Sequence, residues 1–299
     1  MDAPIRPTAS PTLRARLFVA LQHLLPQHFL SRQVHRLARC RVKPLKNALI
    51  GSFVRHFHPD MSDAAEPEPR DYPSFNAFFT RSLRPGTRPS DPDPRALVSP
   101  VDGTVSQIGR LDGLSLPQAK GHDYSVEALL GGADHGAERF AGGSFATLYL
   151  APYNYHRIHM PAAAALHAAW FVPGRLFSVN AVTAACVSRL FARNERVVCA
   201  FEEGALAFAL ALVGALFVGS IATIWHGDVT PRSPRRAMEL PLDTGRAPRR
   251  LERGAELGRF NMGSTVIVLL PPGTVEWLPA LQPGSAVRVG QTLAWRRSP

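Results

Sequence analysis

Cysteine is scarce in this chain of 299 residues. Its three cysteines, Cys40, Cys186 and Cys199, are odd in number and show no CxxC spacing. A disulfide scaffold is therefore not expected, and the composition fits a reducing compartment better. No cluster of histidines and cysteines has the spacing of a zinc site, so we expect no metal.

Acidic residues are almost missing from the first 58 positions. Asp2 stands alone there against ten lysines and arginines, so this segment holds +9 of the formal net charge of +11. Apolar residues recur at helical spacing in three stretches, 13–25, 29–37 and 45–57, which are separated at Pro26 and Pro44. The pattern predicts three short basic amphipathic helices, none long and apolar enough to span a bilayer.

Two interpretations of these helices stay open from the pattern alone. Their leucines could pack on the body of the protein, or the helices could lie on an anionic membrane surface. Nucleic acid is a weaker candidate for the anionic partner, because the segment lacks interleaved aromatic residues and a recognised reader motif.

Charge of either sign is missing from residues 204–225. Hydropathy alone would suggest a transmembrane helix. However, the stretch contains Gly214 and Gly219, alternates small and large residues from Ala205 to Leu212, and is rich in β-branched residues after that. We therefore predict two buried strands that meet near Gly214.

The remaining pattern indicates an α+β fold with a mainly β catalytic body, barrel- or sandwich-like, behind the N-terminal amphipathic helices. Short apolar runs and turns dominate from Leu97 onward, and one longer helix is expected over residues 179–192. Residues 59–73 are acidic and proline-rich and are predicted to form a linker. The expected organisation is thus a basic amphipathic helical segment at 1–58, a linker at 59–73 and a mainly β domain at 74–299.

The stretch from Gly258 to Leu270 joins a flexible loop to a rigid strand. It passes through Gly263-Ser264 into the β-branched run Thr265–Leu270, which Pro271 and Pro272 close. A hydroxyl at position 264 would be held by the strand, while Gly263 permits backbone geometry that a side chain would forbid. On this stretch alone, a turn glycine followed by a serine that opens a strand is the simpler interpretation.

Two other stretches carry residue types that would complement that serine. His156 and His159 lie three apart in Ala151–Pro161, directly after a predicted strand, and Asp102 precedes Gly103 in Ser99–Val105. Singly, each is typical of a surface, core or turn residue. Together, Ser264, His159 and Asp102 could form a nucleophile, a base and an orienting acid.

Six blocks of the sequence resemble, in order, the phosphatidylserine decarboxylases of the bacterial and mitochondrial type. The blocks are Leu97–Gly103, Ala119–Leu129, Tyr155–Pro161, Leu176–Asn180, Leu190–Arg196 and Gly258–Val266. The matches cover most of residues 74–296. One departure is Met262, where the family usually has leucine, a substitution that keeps the apolar bulk.

The resemblance implies that the chain cleaves itself between Gly263 and Ser264. His159, oriented by Asp102, would take the proton of Ser264, whose oxygen would attack the carbonyl of Gly263. The ester formed would undergo β-elimination, and hydrolysis would leave a pyruvoyl group at position 264. Residues 1–263 would become the large β chain and residues 264–299 the small α chain, held together as a heterodimer that could dimerise further.

The resemblance also implies a reaction and a location. The pyruvoyl carbonyl would form a Schiff base with phosphatidylserine, and decarboxylation would give phosphatidylethanolamine, with His156 as the proton donor. Arg157, Asn194 and Arg196 are weaker candidates for substrate binding. A peripheral place on the cytoplasmic face of a bacterial inner membrane is expected. The mitochondrial inner membrane is the alternative, because an arginine-rich, acid-poor start also suits a presequence.

Two other functions remain open. A serine hydrolase could use Ser264, His159 and Asp102 without self-cleavage. A non-catalytic membrane-binding module is the second. Separately, Asp102–Val105 and Val289–Leu293 faintly resemble the hairpins of biotinyl and lipoyl carriers. A carrier needs a lysine at a hairpin tip. Lys43, Lys46 and Lys120 are the only lysines in the chain, and none lies in a convincing hairpin tip, so a carrier function is not expected.

Overall fold

The N-terminal segment forms three helices: α1 (Leu13–Leu24), α2 (Gln27–Ala38) and α3 (Lys43–Phe57). The computed structural model describes residues 12–119, 121–216, 220–229, 236–242, 250–261 and 264–297. Thr12 caps α1 by accepting a hydrogen bond from the backbone of Ala15, Pro26 stands at the start of α2, and Pro44 lies in the first turn of α3. Proline suits the first turn of a helix, which confirms the predicted boundaries.

Four shorter helices follow in the described ranges: α4 (Phe75–Phe79), α5 (Val126–Leu130), α6 (Ala181–Cys186) and α7 (Leu190–Arg193). The single helix predicted over 179–192 is therefore wrong. Arg189 has a φ of 54°, in the left-handed region, where a right-handed helix cannot continue. Nowhere in the described ranges does a helix combine the length and apolarity needed to cross a membrane.

A small core lies between the N-terminal helices and α4. The rings of Phe75, Phe78 and Phe79 pack on Phe53 and Ile50 of α3. Tyr72 also belongs to this cluster, and Ala64 is fully buried and forms an isolated bridge with Leu83. Residues 59–73, predicted as a linker, are thus anchored to the body at Ala64 and Tyr72, while most of the segment is exposed.

Strands form the rest of the body. In chain order they are β1 (Ala96–Val98), β2 (Gly103–Arg110), β3 (Ser115–Pro117), β4 (Asp123–Ser125), β5 (Ser144–Leu150), β6 (Arg157–His159), β7 (Ala164–Val172), β8 (Arg196–Glu203), β9 (Leu206–Val213), β10 (Ile221–Thr223), β11 (Gly227–Asp228), β12 (Met238–Glu239), β13 (Arg250–Leu251), β14 (Glu256–Phe260), β15 (Ser264–Leu270), β16 (Val275–Trp277), β17 (Ala286–Val287) and β18 (Thr292–Arg296). The mainly β body behind N-terminal helices confirms the predicted fold class. In the described residues each sheet is an open run of strands rather than a closed barrel.

The largest sheet has the order β12-β7-β8-β9-β15-β5-β2-β17, with β13 also paired to β7. Every strand pair in it is antiparallel, and β15 lies in its interior between β9 and β5. Val266, Val268 and Leu270 face one hydrophobic cluster, whereas Ile267 and Leu269 face another. A strand covered on both faces must be apolar at every position, which explains the continuous run after Ser264.

Smaller sheets complete the architecture. One has the order β11-β10-β14-β6, a second β1-β18-β16, and the third pairs β3 with β4. The uncharged stretch 204–225 supplies β9 to the large sheet and the buried strand β10 to the four-stranded sheet. The prediction of two buried strands is thus confirmed, but their meeting near Gly214 is wrong, because β10 begins only at Ile221 and lies in another sheet. Residues 217–219 lie outside the described ranges.

Candidate active site

Three segments of the predicted site meet at the same end of three neighbouring strands of the large sheet. In the strand register, Ser264 is opposite Leu150, and Tyr149 is opposite both Thr265 and Thr104. The start of β15, the end of β5 and the start of β2 therefore lie side by side. Asp102 directly precedes β2, and the segment with both histidines directly follows β5, so antiparallel pairing brings distant parts of the sequence together.

Gly103 is needed for β2 and β5 to approach each other at this end of the sheet. A Cβ atom placed on it would lie 2.5 Å from the carbonyl oxygen of Tyr149 on β5. No side chain can be accommodated at that distance. The glycine after Asp102 therefore has a packing role beyond the turn suggested by the sequence.

Ser264 is the first residue of β15 and is completely buried. Its hydroxyl has no hydrogen-bond partner among the described residues. A buried polar group without a partner is costly and needs an explanation, of which a catalytic role is one. Gly263, the other half of the predicted cleavage site, lies outside the described residues, as does Met262.

His159 is half-buried and held through both ring nitrogens. Its Nδ1 lies 2.8 Å from the carbonyl oxygen of Gly254, and its Nε2 lies 3.0 Å from the hydroxyl of Tyr155. A carbonyl only accepts, so Nδ1 carries the proton and Nε2 is the basic nitrogen, to which Tyr155 donates. Burial lowers the pKa of His159, which keeps the ring neutral and able to accept a proton.

Asp102 has different partners from those expected. Both of its oxygens accept from the guanidinium of Arg88, with the shortest distance 2.6 Å, and Oδ1 also accepts from the backbone N–H of Val289. Arg88 also contacts Asp63 at 2.7 Å. In the described residues no hydrogen bond joins Asp102 to His159 or His159 to Ser264, so the orienting acceptor of His159 is the backbone of Gly254.

His156 is fully buried against the ring of Phe79, with the ring centroids 4.1 Å apart. Its Nδ1 lies 2.8 Å from the carbonyl oxygen of Asn154, so this nitrogen carries the proton. Its Nε2 is buried and has no partner among the described residues. Burial, with a smaller effect of Arg81, lowers the pKa of His156 to about 3 and makes the ring neutral.

Arg157, the neighbour of His156 in the sequence, lines a cavity of about 760 Å³. It donates to the carbonyl of Thr80 and to Glu256 at 2.8 Å. Arg41 and Arg259 also line the cavity, and neither has an ion pair within the described residues. The cavity is therefore suited to an anionic group.

The other two candidates for substrate binding lie in the interior. Asn194 bonds to the backbone of Phe177 and Gly214. Arg196 donates to the carbonyls of Leu129, Ala128, Ala192 and Asn194. These backbone contacts explain both side chains without a ligand, and we leave them out of the proposed substrate contacts.

Sequence reasoning missed two residues that shape this site, Arg88 and Tyr155. Tyr155 stands inside a block that resembles the family, so its position was visible although its role was not. Arg88 lies in a proline-rich connection that carries no local signal of a function.

No group of three or more possible metal ligands occurs among the described residues.

Comparison with known proteins decides the family. The family model described as phosphatidylserine decarboxylase matches residues 75–294 of this chain. This chain belongs to the phosphatidylserine decarboxylase family. A second family model, described as PSD, matches residues 17–58, so the N-terminal helices are also part of a recognised pattern.

Curated members of the phosphatidylserine decarboxylase family are similar over nearly the whole chain. A phosphatidylserine decarboxylase proenzyme of Azotobacter vinelandii is 51% identical over 94% of this chain and 98% of its own length. Proenzymes of the same name from Pseudomonas fluorescens and Bordetella pertussis are 51% and 50% identical over 94% and 93% of this chain, and over 98% and 94% of their own lengths. The word proenzyme in these names describes precursors that must be processed.

Proposed function

We propose that this chain is a pyruvoyl-dependent phosphatidylserine decarboxylase that forms phosphatidylethanolamine and CO2 after cleaving itself between Gly263 and Ser264. The observation that carries the proposal is the buried Ser264 hydroxyl, which has no partner among the described residues. It lies opposite the end of β5, and the segment with His156 and His159 directly follows that strand. Membership of a family whose relatives are named as proenzymes supports it.

Self-cleavage requires a base for the serine hydroxyl. His159 Nε2 is the basic nitrogen, and a shift of its contact from Tyr155 to Ser264 would let it take the proton. The serine oxygen then attacks the carbonyl carbon of Gly263, and the amide becomes an ester as the nitrogen of residue 264 leaves as a free amine. β-Elimination releases the carboxylate of Gly263, and hydrolysis of the resulting dehydroalanine releases ammonia and leaves the pyruvoyl group.

Asp102 would act on this step through charge. Its carboxylate favours the protonated form of His159, the form present after the proton transfer. Arg88 and the backbone of Val289 hold the carboxylate in place. Asp102 is therefore proposed as an electrostatic partner of His159, with the backbone of Gly254 fixing the tautomer.

The residues around position 264 fit a group derived from its serine. The position is buried, its oxygen has no competing partner among the described residues, and two neutral imidazoles lie on the segment that follows the neighbouring strand. The pyruvoyl group would supply a carbonyl that captures the substrate amine and withdraws the electrons freed by loss of CO2. No metal is needed for that chemistry.

His156 is proposed to move the proton during turnover. Because the ring is neutral and its Nδ1–H is bonded to Asn154, Nε2 must first accept a proton before it can donate one. The ammonium group of the substrate provides that proton as it is converted to the free amine. In the free protein Nε2 is too weak a base to take it, so the transfer requires the anionic carboxylate and phosphate of the bound substrate to raise the pKa of His156. His156 Nε2 then returns the proton to the carbon that has lost CO2.

The substrate phosphate is proposed to bind in the cavity lined by Arg157, Arg41 and Arg259. Arg157 directly follows His156, and α4 contacts both places, since Phe79 packs on His156 while Thr80 lines the cavity. An arginine side chain matches a phosphodiester in charge and in geometry. The cavity thus supports an anionic head group next to the reactive residues.

The N-terminal helices are proposed to place the enzyme on a membrane. Of the twelve large apolar side chains that are exposed in the described residues, nine lie between Leu13 and Leu45. This part of the chain is also the most basic. Exposed apolar groups beside arginines suit the interface of an anionic leaflet. The cytoplasmic face of a bacterial inner membrane is the proposed location, with the mitochondrial inner membrane as the alternative.

Denaturing mass spectrometry tests the proposal directly. The wild-type chain of 32.6 kDa should split into residues 1–263 and 264–299, the latter bearing a pyruvoyl group, and should release CO2 from phosphatidylserine. The Ser264→Ala variant should stay intact and inactive because it has no nucleophile. A wild-type chain that stays intact yet hydrolyses esters would instead identify a serine hydrolase.

A further inference from the structure

Asn261 is the last described residue before the proposed cleavage site, and its side chain is a hydrogen-bond hub. It is only 3% exposed. Its Nδ2 donates to Ser220 Oγ at 2.8 Å and to Asp228 Oδ1 at 3.3 Å, and its Oδ1 accepts from Asn76 at 3.2 Å. Its backbone N–H donates to the carbonyl of Ser220. Every polar group of the side chain is thus used.

The two ends of the segment that contains the proposed cleavage site are therefore both fixed. Asn261 is held by its hub on one side, and Ser264 is held on the other by pairing with Leu150 in the large sheet. Only Met262 and Gly263 lie between them. Attack by an oxygen on the preceding carbonyl demands a narrow range of backbone angles, so the placement of Asn261 and Ser264 bears on how readily that geometry is reached.

The hub also reaches the N-terminal helices through Asp228. The Oδ2 of Asp228 forms an ion pair with Arg39 at 2.5 Å, and Arg39 is the residue that ends α2. The other end of α2 is fixed to the body, because Gln27 accepts from the backbone of Leu176 and His28 contacts the carbonyl of Gly174. Helix α2 is thereby tied to the body at both ends.

We propose that Asn261 is a positioning residue for self-cleavage, and that Arg39 and Asp228 couple the placement of α2 to the cleavage segment. This inference rests on the proposed function, because it concerns the same peptide bond. Asn261 touches neither the nucleophile nor the base among the described contacts, so it acts through the backbone that it holds. A shift of α2 would move Arg39, then Asp228, then Asn261.

The test is the rate of self-cleavage of the full-length chain after cell-free synthesis, followed by denaturing mass spectrometry. Asn261→Ala should slow cleavage on the order of 10- to 100-fold, since misplacement by about 1 Å costs that much. Arg39→Ala should slow it less, and Arg39→Lys should recover most of the rate by keeping the ion pair. Arg36→Ala is the matched control, because it removes an exposed arginine from the same helix that has no ion pair in the described residues.

Two further measurements separate positioning from loss of fold. Each substitution is combined with Ser264→Ala, and the melting temperature of the uncleaved chain is compared, so that slow cleavage in a folded protein is recognised. Arg39→Ala combined with Asp228→Ala should cleave no more slowly than Asp228→Ala alone, because the two residues act through one contact.

The outcomes are distinct. The inference would be overturned if Asn261→Ala and Arg39→Ala both cleave at the wild-type rate. It would also be overturned if Arg36→Ala slows cleavage as much as Arg39→Ala does. Either result would leave the proposed function standing. Should Asn261→Ala fail to fold, the exposed Arg39 and its lysine variant still decide the coupling. A wild-type chain that never cleaves would refute the proposed function itself.

Discussion

His156 and His159 lie three residues apart and share one hydrogen-bonding arrangement. Each points Nδ1 at a backbone carbonyl, Asn154 for one and Gly254 for the other, so each presents Nε2 as its reactive nitrogen. Burial lowers the pKa of both rings. They differ in their surroundings, because Tyr155 occupies one Nε2 whereas the other is buried without a partner among the described residues. That difference supports separate duties in cleavage and in turnover.

The His156→Ala variant should separate these duties. It should cleave itself as the wild type does, because His159 and Ser264 remain, but turnover should fall by about 10²–10⁴-fold for want of the proton carrier. Mass spectrometry measures the cleavage, and CO2 release from phosphatidylserine vesicles measures the turnover.

The control for this variant is His167→Ala, which removes an exposed histidine of β7. Both rates should stay at the wild-type level in the control. An uncleaved His156→Ala chain, or one with nearly full turnover, would contradict the assignment of His156.

At this scale the sequence showed the residue types but not their contacts. Ser264, Asp102 and the two histidines stood out because they lie at junctions of strands and turns. The acceptors of the imidazole protons are backbone carbonyls, which every residue has and no motif marks. Arg88 comes next to Asp102 only through the tertiary fold, so its role was not predictable locally.

Among the secondary-structure elements, the N-terminal helices were the most predictable. Their apolar spacing and the prolines at 26 and 44 fixed their boundaries to within a few residues. The short helices were less predictable from the sequence. The left-handed backbone of a single residue, Arg189, decides whether residues 179–192 form one helix or two. Which faces of α1 and α2 stay exposed depends on the body beneath them, and the sequence alone left that open.

Exposed leucines of α1 should carry membrane binding. Leu17 and Leu21 are 61% and 55% exposed. Leu17→Glu with Leu21→Glu should weaken binding to vesicles containing anionic lipid by at least about tenfold, since charged groups replace apolar ones at the interface. Vesicle sedimentation measures it.

The matched control changes two exposed residues of the small chain, Ala280→Glu and Gln282→Glu. It adds the same two charges outside the N-terminal helices. Equal loss of binding in this control would show that net charge, not the apolar face of α1, governs association.

Glu195, buried below the start of α2, makes the stability of the fold sensitive to pH. Its side chain is 2% exposed, with His28 of α2 at 3.9 Å, and burial raises its pKa to about 8. A carboxyl whose pKa is raised on folding contributes its full stability below its ordinary pKa near 4.5, and that stability is lost as the pH rises through 8. The free energy of unfolding should therefore fall by up to about 3 kcal/mol between pH 5 and pH 8.

Chemical denaturation of the Ser264→Ala chain measures this loss. The added substitution Glu195→Gln should flatten the profile, because the amide does not titrate. The exposed Glu252→Gln serves as the control and should leave the profile unchanged. An equally steep profile in the Glu195→Gln variant would assign the pH dependence to other groups.

For the whole molecule, the segment proposed as the small chain contributes strands to two sheets of the body. Residues 264–299 supply β15 to the interior of the large sheet, β17 to its edge, and β16 and β18 to the three-stranded sheet. β15 alone pairs along its full length with β5 and over five residues with β9. Sequence reasoning placed a buried strand after Ser264, but the sheet order depends on contacts between distant segments and was not predictable.

This arrangement predicts that the two cleaved chains remain together without a covalent link. Native mass spectrometry should show one complex with the summed mass of both chains, and denaturant should release the small chain only as the sheet unfolds. The expected control is the Ser264→Ala chain, which should unfold at a similar denaturant concentration. Release of the small chain under native conditions would contradict the prediction.

The interior position of β15 has a lasting consequence for the working life of such an enzyme. A dissociable coenzyme can leave and be replaced, whereas a prosthetic group made from the first residue of an interior strand is built once, from the polypeptide itself. Damage to that residue could be repaired only by synthesis of a new chain. Each molecule would thus have a single activation, and its service would end when that one carbonyl is lost.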